Sequence, residues 1–201
     1  FEYDTLIHVQ TNPYYISNLE SETKYYIATQ CDSLITSCEE PILITTPQIK
    51  SLPYCEDFSS YSNYTMPKSW VKFRDGIYNG ICTGGTDPYI YSNEMYFYGN
   101  SSTTQFVIIP AIEIDSIRNV DLYFDMYSER HEYTSIVVGV VTDQYNINTF
   151  VPIDTFRNTS TYTWENNYHI SFTSYQGNGR FIAFKGVATG NSSYNWRIDN
   201  L

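Results

Sequence analysis

Apolar residues recur at every second position along most of the chain, and almost nowhere at the three-to-four spacing of an amphipathic helix. Between 120 and 127, Val120, Leu122, Phe124 and Met126 alternate with Asp121, Tyr123, Asp125 and Tyr127. That is the pattern of a strand with one face buried and the other wet. Ile136, Val138 and Val140 alternate with Val137 and Val141 around Gly139; a stretch apolar on both faces belongs in the middle of a sheet. Further strands are predicted at 105–109, 168–173, 180–185 and 194–200. Turn-forming runs separate them: Gly99-Asn100-Ser101-Ser102, Gln176-Gly177-Asn178-Gly179 and Gly190-Asn191-Ser192-Ser193. Many short strands joined by long connections predict an all-β jelly roll for the body of the chain. No internal repeat is evident within it.

The leading segment reads as strands and turns of a separate unit. Strands are predicted at 5–9 and 14–16, then a run from Leu19 to Ala28, then Pro41-Ile42-Leu43-Ile44-Thr45-Thr46-Pro47 as a closing strand and exit proline. Leu19 followed six residues later by Tyr25, with Thr23 between, resembles the E–F corner of a fibronectin type III domain. In that family the corner tyrosine bonds upstream backbone through its hydroxyl; Tyr25 would be that residue. Ser21 stands where the family usually has proline. The resemblance covers only the C-terminal half of such a sandwich. The resulting organisation is a partial fibronectin type III-like domain over 1–47, a linker over 48–54 bounded by Pro47 and Pro53, and a jelly-roll domain over 55–201.

Composition narrows the partners. Of 201 residues, 42% are hydrophobic, enough for a core, and 21 are tyrosines, which suit a sandwich with a polar aromatic surface. A net charge of −11 disfavours nucleic acid and anionic lipid, because phosphate binding needs clustered Lys and Arg. No apolar run of about eighteen residues exists to span a bilayer. No signal peptide is visible, but Phe1 is not a natural start, so the chain reads as a piece of a longer protein.

A second resemblance covers nearly all of 52–201. Five pieces follow one another in order: Leu52-Pro53-Tyr54-Cys55-Glu56-Asp57-Phe58, Met66-Pro67-Lys68-Ser69-Trp70, the stretch from Phe106 to Ser128, the stretch from Gly179 to Ala188, and Trp196-Arg197-Ile198-Asp199-Asn200-Leu201. That order resembles the cleaved-adhesin and choice-of-anchor modules. These are jelly-roll relatives of the MAM domain carried by secreted proteins of host-associated bacteria. Departures from their pattern are Cys55, where a small residue is commoner, and Asn200 in a closing Asp-Asp. The resemblance implies a non-catalytic adhesion or binding module, secreted or at the cell surface, for a host glycan or extracellular protein. The alternative is an accessory domain of a secreted peptidase or glycoside hydrolase whose catalytic part lies elsewhere. A passive spacer is the third reading.

Candidate sites follow. Glu56 and Asp57 near one end and Asp199 near the other are expected to meet on neighbouring strands, where their carboxylates and carbonyls around Asn93 could hold a structural calcium ion. The competing reading leaves these acids solvated or paired with Arg197 or Lys72. Trp70, Trp164 and Trp196 with Tyr89, Tyr91, Tyr96 and Tyr98 could stack on sugar; against this, the resemblance implies core positions for Trp70 and Trp196, and strand alternation would bury about half of those tyrosines. Cys31 and Cys38 are disulfide candidates across a hairpin, leaving Cys55 and Cys82 to pair or stay reduced; buried free thiols are the competing reading. No C-x-x-C pair, G-x-S-x-G or H-E-x-x-H is present, His131 lies in a polar loop, and no carboxylate pair stands out, so no catalytic residue is assigned. Sequons at Asn63, Asn100, Asn158 and Asn191 are expected to mark surface loops.

Overall fold

The computed structural model describes residues 7, 16, 19–20, 23–27, 42–46, 49–78 and 88–201. They belong to two compact units, Phe1–Pro47 and Gln48–Leu201.

In the first unit, β1 (Lys24–Ile27) and β2 (Ile42–Thr45) pair antiparallel, with Lys24 opposite Thr45 and Ile27 opposite Ile42. The Glu20 N–H donates to Tyr25 Oη at 2.8 Å, so the corner tyrosine reaches back to backbone upstream of its own strand. The stretches 5–9 and 14–16 lie outside the described residues except for Ile7 and Ile16, which are exposed.

The second unit begins with β3 (Ile49–Lys50), β4 (Val71–Arg74), β5 (Ile77–Tyr78), β6 (Tyr89–Tyr91), β7 (Glu94–Gly99), β8 (Gln105–Ile108) and β9 (Ala111–Ile112). It continues with β10 (Asp121–Ser128), β11 (Thr134–Val141), β12 (Val151–Phe156), β13 (Thr163–Ser171), β14 (Phe181–Ala188) and β15 (Tyr194–Asp199). Two antiparallel sheets face each other: β13-β10-β15-β7-β6 and β12-β11-β14-β8-β4-β5. The chain passes repeatedly between them, giving an all-β sandwich of the jelly-roll kind. β3 pairs in parallel with β9. Within the stretch 48–54, expected to be a linker, Ile49 and Lys50 are tied to this unit by that ladder.

The core lies between the sheets. Met95, Phe97, Leu122, Phe124, Met126, Trp196 and Ile198 point inward from the five-stranded sheet and meet Val107, Ile136, Val138, Val140, Ile182 and Phe184 from the other. The period-two alternation read in 120–127 is thus the division between this core and the outer face. β11 is central, flanked by β14 and β12. On its far side Val141 joins Val71, Phe73, Phe106, Ile108 and Ala183 in a smaller cluster covered by Ile147, Phe150 and Phe181. A Cβ on Gly139 would lie 2.4 Å from the Val151 carbonyl oxygen, which is why a residue without a side chain stands where the β11–β12 register shifts.

β13 starts at Thr163, earlier than the predicted 168. The polar pair Asn166-Asn167 hides it in the sequence, and the register with β10 slips between Phe124 and Met126 to absorb it. Asn167 sits at φ 60° and its N–H donates to Asp125 Oδ1 at 2.8 Å.

Candidate functional site

The two ends of the second unit meet. The Glu56 N–H donates to the Leu201 carbonyl at 2.9 Å and the Leu201 N–H returns to the Glu56 carbonyl at 3.0 Å. This seam is sealed from inside: Phe58 is fully buried with its ring edge-on to Trp70 at 5.5 Å, and Trp70 Nε1 donates to Tyr54 Oη at 3.1 Å. Glu56 is turned inward. Its Oε1 accepts from the Phe58 N–H at 2.9 Å, and its Oε2 accepts from Tyr61 Oη at 3.0 Å and Tyr54 Oη at 3.4 Å. Burial and this carboxylate hold both phenols above their ordinary range.

The other residues expected to hold calcium are placed as follows. Asp57 is exposed, its Oδ1 accepting from the N–H and Oγ of Ser59 at 3.0 and 2.7 Å, which keeps it below the usual carboxylate range. Asp199 is half-buried, and Asp125 lies directly opposite it on β10. Burial pushes Asp199 up to about 6; the Asn200 N–H works against this, while Glu94, Asp125 and Asp57 add to the rise. Asn93 forms, with Ser92, the two-residue turn between β6 and β7, both at positive φ. The carboxylate of Glu56 is thus occupied by protein donors. Among the described residues no group of three or more His, Cys, Asp or Glu stands at metal-holding spacing.

The acids border a larger feature that sequence reading did not assemble. On the outer face of the five-stranded sheet, strand register lines up Trp164, Tyr127, Arg197, Tyr96 and Tyr89 in one row across all five strands. The Arg197 guanidinium lies between two rings, 4.2 Å from the Tyr96 centroid and 4.3 Å from that of Tyr127. Tyr89 stacks on Tyr96 at 5.8 Å, Trp164 lies tilted against Tyr127 at 5.7 Å, and Tyr64, also tilted, extends the row past Tyr89 at 5.2 Å. Arg197 Nη1 donates to Glu94 Oε2 at 2.9 Å. Burial raises Glu94 against the opposing pull of Arg197, and burial raises Tyr96 to about 12. The neighbouring row on the same face carries Asp125 and Asp199, and beyond it Tyr123 stacks on His169, which contacts Asp121 at 3.1 Å. Tyr123, Asp125 and Tyr127 were visible in the sequence as wet positions of an alternating strand, whereas Trp164 lies in the part of β13 that was not predicted. The alignment of the row was not visible, because register between strands distant in sequence is decided by the fold.

The remaining candidates are quickly placed. Trp70 and Trp196 are buried, so sugar stacking on them is closed off. Cys55 is an exposed free thiol; Cys31, Cys38 and Cys82 lie outside the described residues. Asn63 and Asn191 are exposed, but Asn158 is not a surface position. It is 2% exposed, and its Nδ2 donates to the carbonyls of Met126 and Thr163 at 3.0 and 2.8 Å, pinning the turn before β13 to β10. No helix among the described residues is long and apolar enough to cross a membrane.

These features define a two-sheet sandwich with an aromatic, acid-bordered outer face. The same fold is found in cleaved adhesin domains of Lys-gingipain from Porphyromonas gingivalis. The K3 domain aligns with a TM-score of 0.51 at 11% identity, over 74% of this chain and 95% of that one. The K1 domain aligns with a TM-score of 0.51 at 12% identity, over 73% of this chain and 94% of that one. At such identity the likeness is one of fold. No protein-family model and no curated protein matches the chain.

Proposed function

We propose that the second unit is a non-catalytic adhesion or binding module of a bacterial surface or secreted protein, and that it holds an extracellular partner on the outer face of its five-stranded sheet. The observation that carries this reading is the row Trp164–Tyr127–Arg197–Tyr96–Tyr89, set in register on a face where Tyr98 and Tyr123 are exposed. Tyrosine and tryptophan supply large, rigid, amphipathic contact area at little entropic cost, and arginine joins them at binding hot spots. The shared fold with adhesin domains supports the same reading. The first unit fits the C-terminal part of a fibronectin type III-like sandwich, supported by the bond from Glu20 to Tyr25. Pull-down against matrix proteins and mucin, alongside a glycan array, tests the module. A saturable partner that is lost on Tyr98→Ser and Tyr123→Ser, two exposed tyrosines of the face, is the expected result. Saturable binding that ignores both substitutions would move the site elsewhere.

Calcium belongs to the same reading in a narrower form. With Glu56 occupied, Asp57 and Asp199 with backbone carbonyls are the donors left to hold it. Millimolar calcium is expected to raise the thermal midpoint and chelator to reverse the rise, because a ligand bound only by the folded state stabilises it. An unchanged midpoint removes the ion.

A further inference from the structure

Charge is divided between the two sheets. The strands of the five-stranded sheet hold Glu94, Asp121, Asp125, Glu165 and Asp199 against a single basic residue, Arg197. Those of the six-stranded sheet hold Lys72, Arg74 and Lys185 against Asp154 alone. Arg197 is already matched to Glu94, Asp121 contacts His169, and Asp125 accepts from the Asn167 N–H and from Asn200 Nδ2, but no Lys or Arg on the strands of this sheet balances Asp121, Asp125 or Asp199. Asp125 and Asp199 stand opposite each other across two hydrogen-bonded strands, a like-charge placement that disfavours folding. A fold that keeps such a pair beside a row of aromatic rings has a surface suited to positive charge from outside.

The ring geometry limits what can stack there. Sugar stacking needs an open ring face, whereas Tyr96 is contacted by both Arg197 and Tyr89, and Tyr127 by both Arg197 and Trp164. The slot between Tyr96 and Tyr127 is already filled by Arg197, so the rings left for a partner are the exposed ones of the same face. Tyr123 and Tyr98, exposed at 53% and 37%, extend the aromatic surface on either side of the central row.

Resting on the binding role proposed above, we infer that the outer face of the five-stranded sheet docks a basic polypeptide segment, whose Arg and Lys side chains lie along its tyrosines and pair with Asp121, Asp125 and Asp199. The other sheet, with the opposite balance, takes no part.

The test uses the intact chain and fluorescently labelled peptides of one sequence in three versions, rich in Lys and Arg, in Gln, or in Glu. The basic peptide is expected to bind, the other two not. Its affinity should fall by about tenfold between low and high salt, as expected for charge-led association. Asp121→Asn and Asp199→Asn should each weaken it by roughly threefold, and Tyr123→Ser or Tyr98→Ser by more, whereas Asp154→Asn on the other sheet should leave it unchanged. Equal weakening by Asp154→Asn would show attraction to overall charge and overturn the inference. So would a neutral oligosaccharide, or a second copy of the chain, held by the same tyrosines; the face would then keep its binding role and lose only the occupant argued here. If a partner binds and neither the tyrosine nor the aspartate substitutions matter, both the inference and the role of the face fall.

Discussion

Arg197 is held by shape as much as by charge. Its planar guanidinium fits between the Tyr96 and Tyr127 rings while one nitrogen reaches Glu94. A lysine ammonium has no plane to stack. Arg197→Lys is therefore expected to cost about 1–2 kcal/mol in chemical denaturation, the scale of a partly desolvated cation–π contact. Asp199 makes a prediction in pH. Its carboxyl titrates near 6 in the folded chain against 3.8 ordinarily, so between those values the folded state keeps a proton that the unfolded state has released. Stability should be fullest below that window and fall as pH rises through it. Asp199→Asn should flatten this slope between pH 4 and 7 and leave the protein more stable at pH 7, by about 1 kcal/mol once solvent screening is allowed for. Denaturation midpoints at the two pH values check both statements. Asn158 concerns modification instead: with its amide spent on two carbonyls, it should stay unmodified when the chain is made in a secretory host, while exposed Asn63 and Asn191 accept glycan, as peptide mass mapping would show.

At the scale of elements, alternation translated directly into strands wherever one face was wet. β10 runs over Asp121–Ser128, close to its predicted 120–127, because its inward Leu122, Phe124 and Met126 have no other way to be buried together. β13 was read short because Asn166 and Asn167 interrupt the pattern, and a bulge against β10 is invisible without the partner strand. β12 was missed: it is an edge strand with Val151, Pro152, Asp154 and Thr155 all exposed, so burial left no pattern to read. β11 is hydrogen-bonded along both edges, to β12 and β14. Gly139→Ala would drive a methyl group into the Val151 carbonyl and the Phe150 ring, and an overpacking cost of about 1–3 kcal/mol is expected in equilibrium unfolding.

For the whole second unit, the pairing of Glu56 with Leu201 joins the beginning of the sandwich to its end. The inward carboxylate of Glu56, the Tyr54–Trp70 bond and the Phe58–Trp70 contact fasten that seam to the core. The amide protons of Glu56 and Leu201 should accordingly exchange with solvent at similar rates, slowed to the level of neighbouring β15 amides rather than to that of surface turns. Hydrogen exchange read residue by residue tests this.

The chain's own pattern was enough to determine that it is an all-β protein and which residues of 120–127 face inward. These follow from burial, which each side chain seeks according to its own chemistry. Tertiary structure alone decided that Glu56 turns inward to Tyr54 and Tyr61, that Asn158 is enclosed, and that Trp164, Tyr127, Arg197, Tyr96 and Tyr89 share one row. The reason is physical: a period of two says which face of a strand a residue takes, but its neighbours across the sheet depend on order and register, and those are settled only when all the strands pack at once.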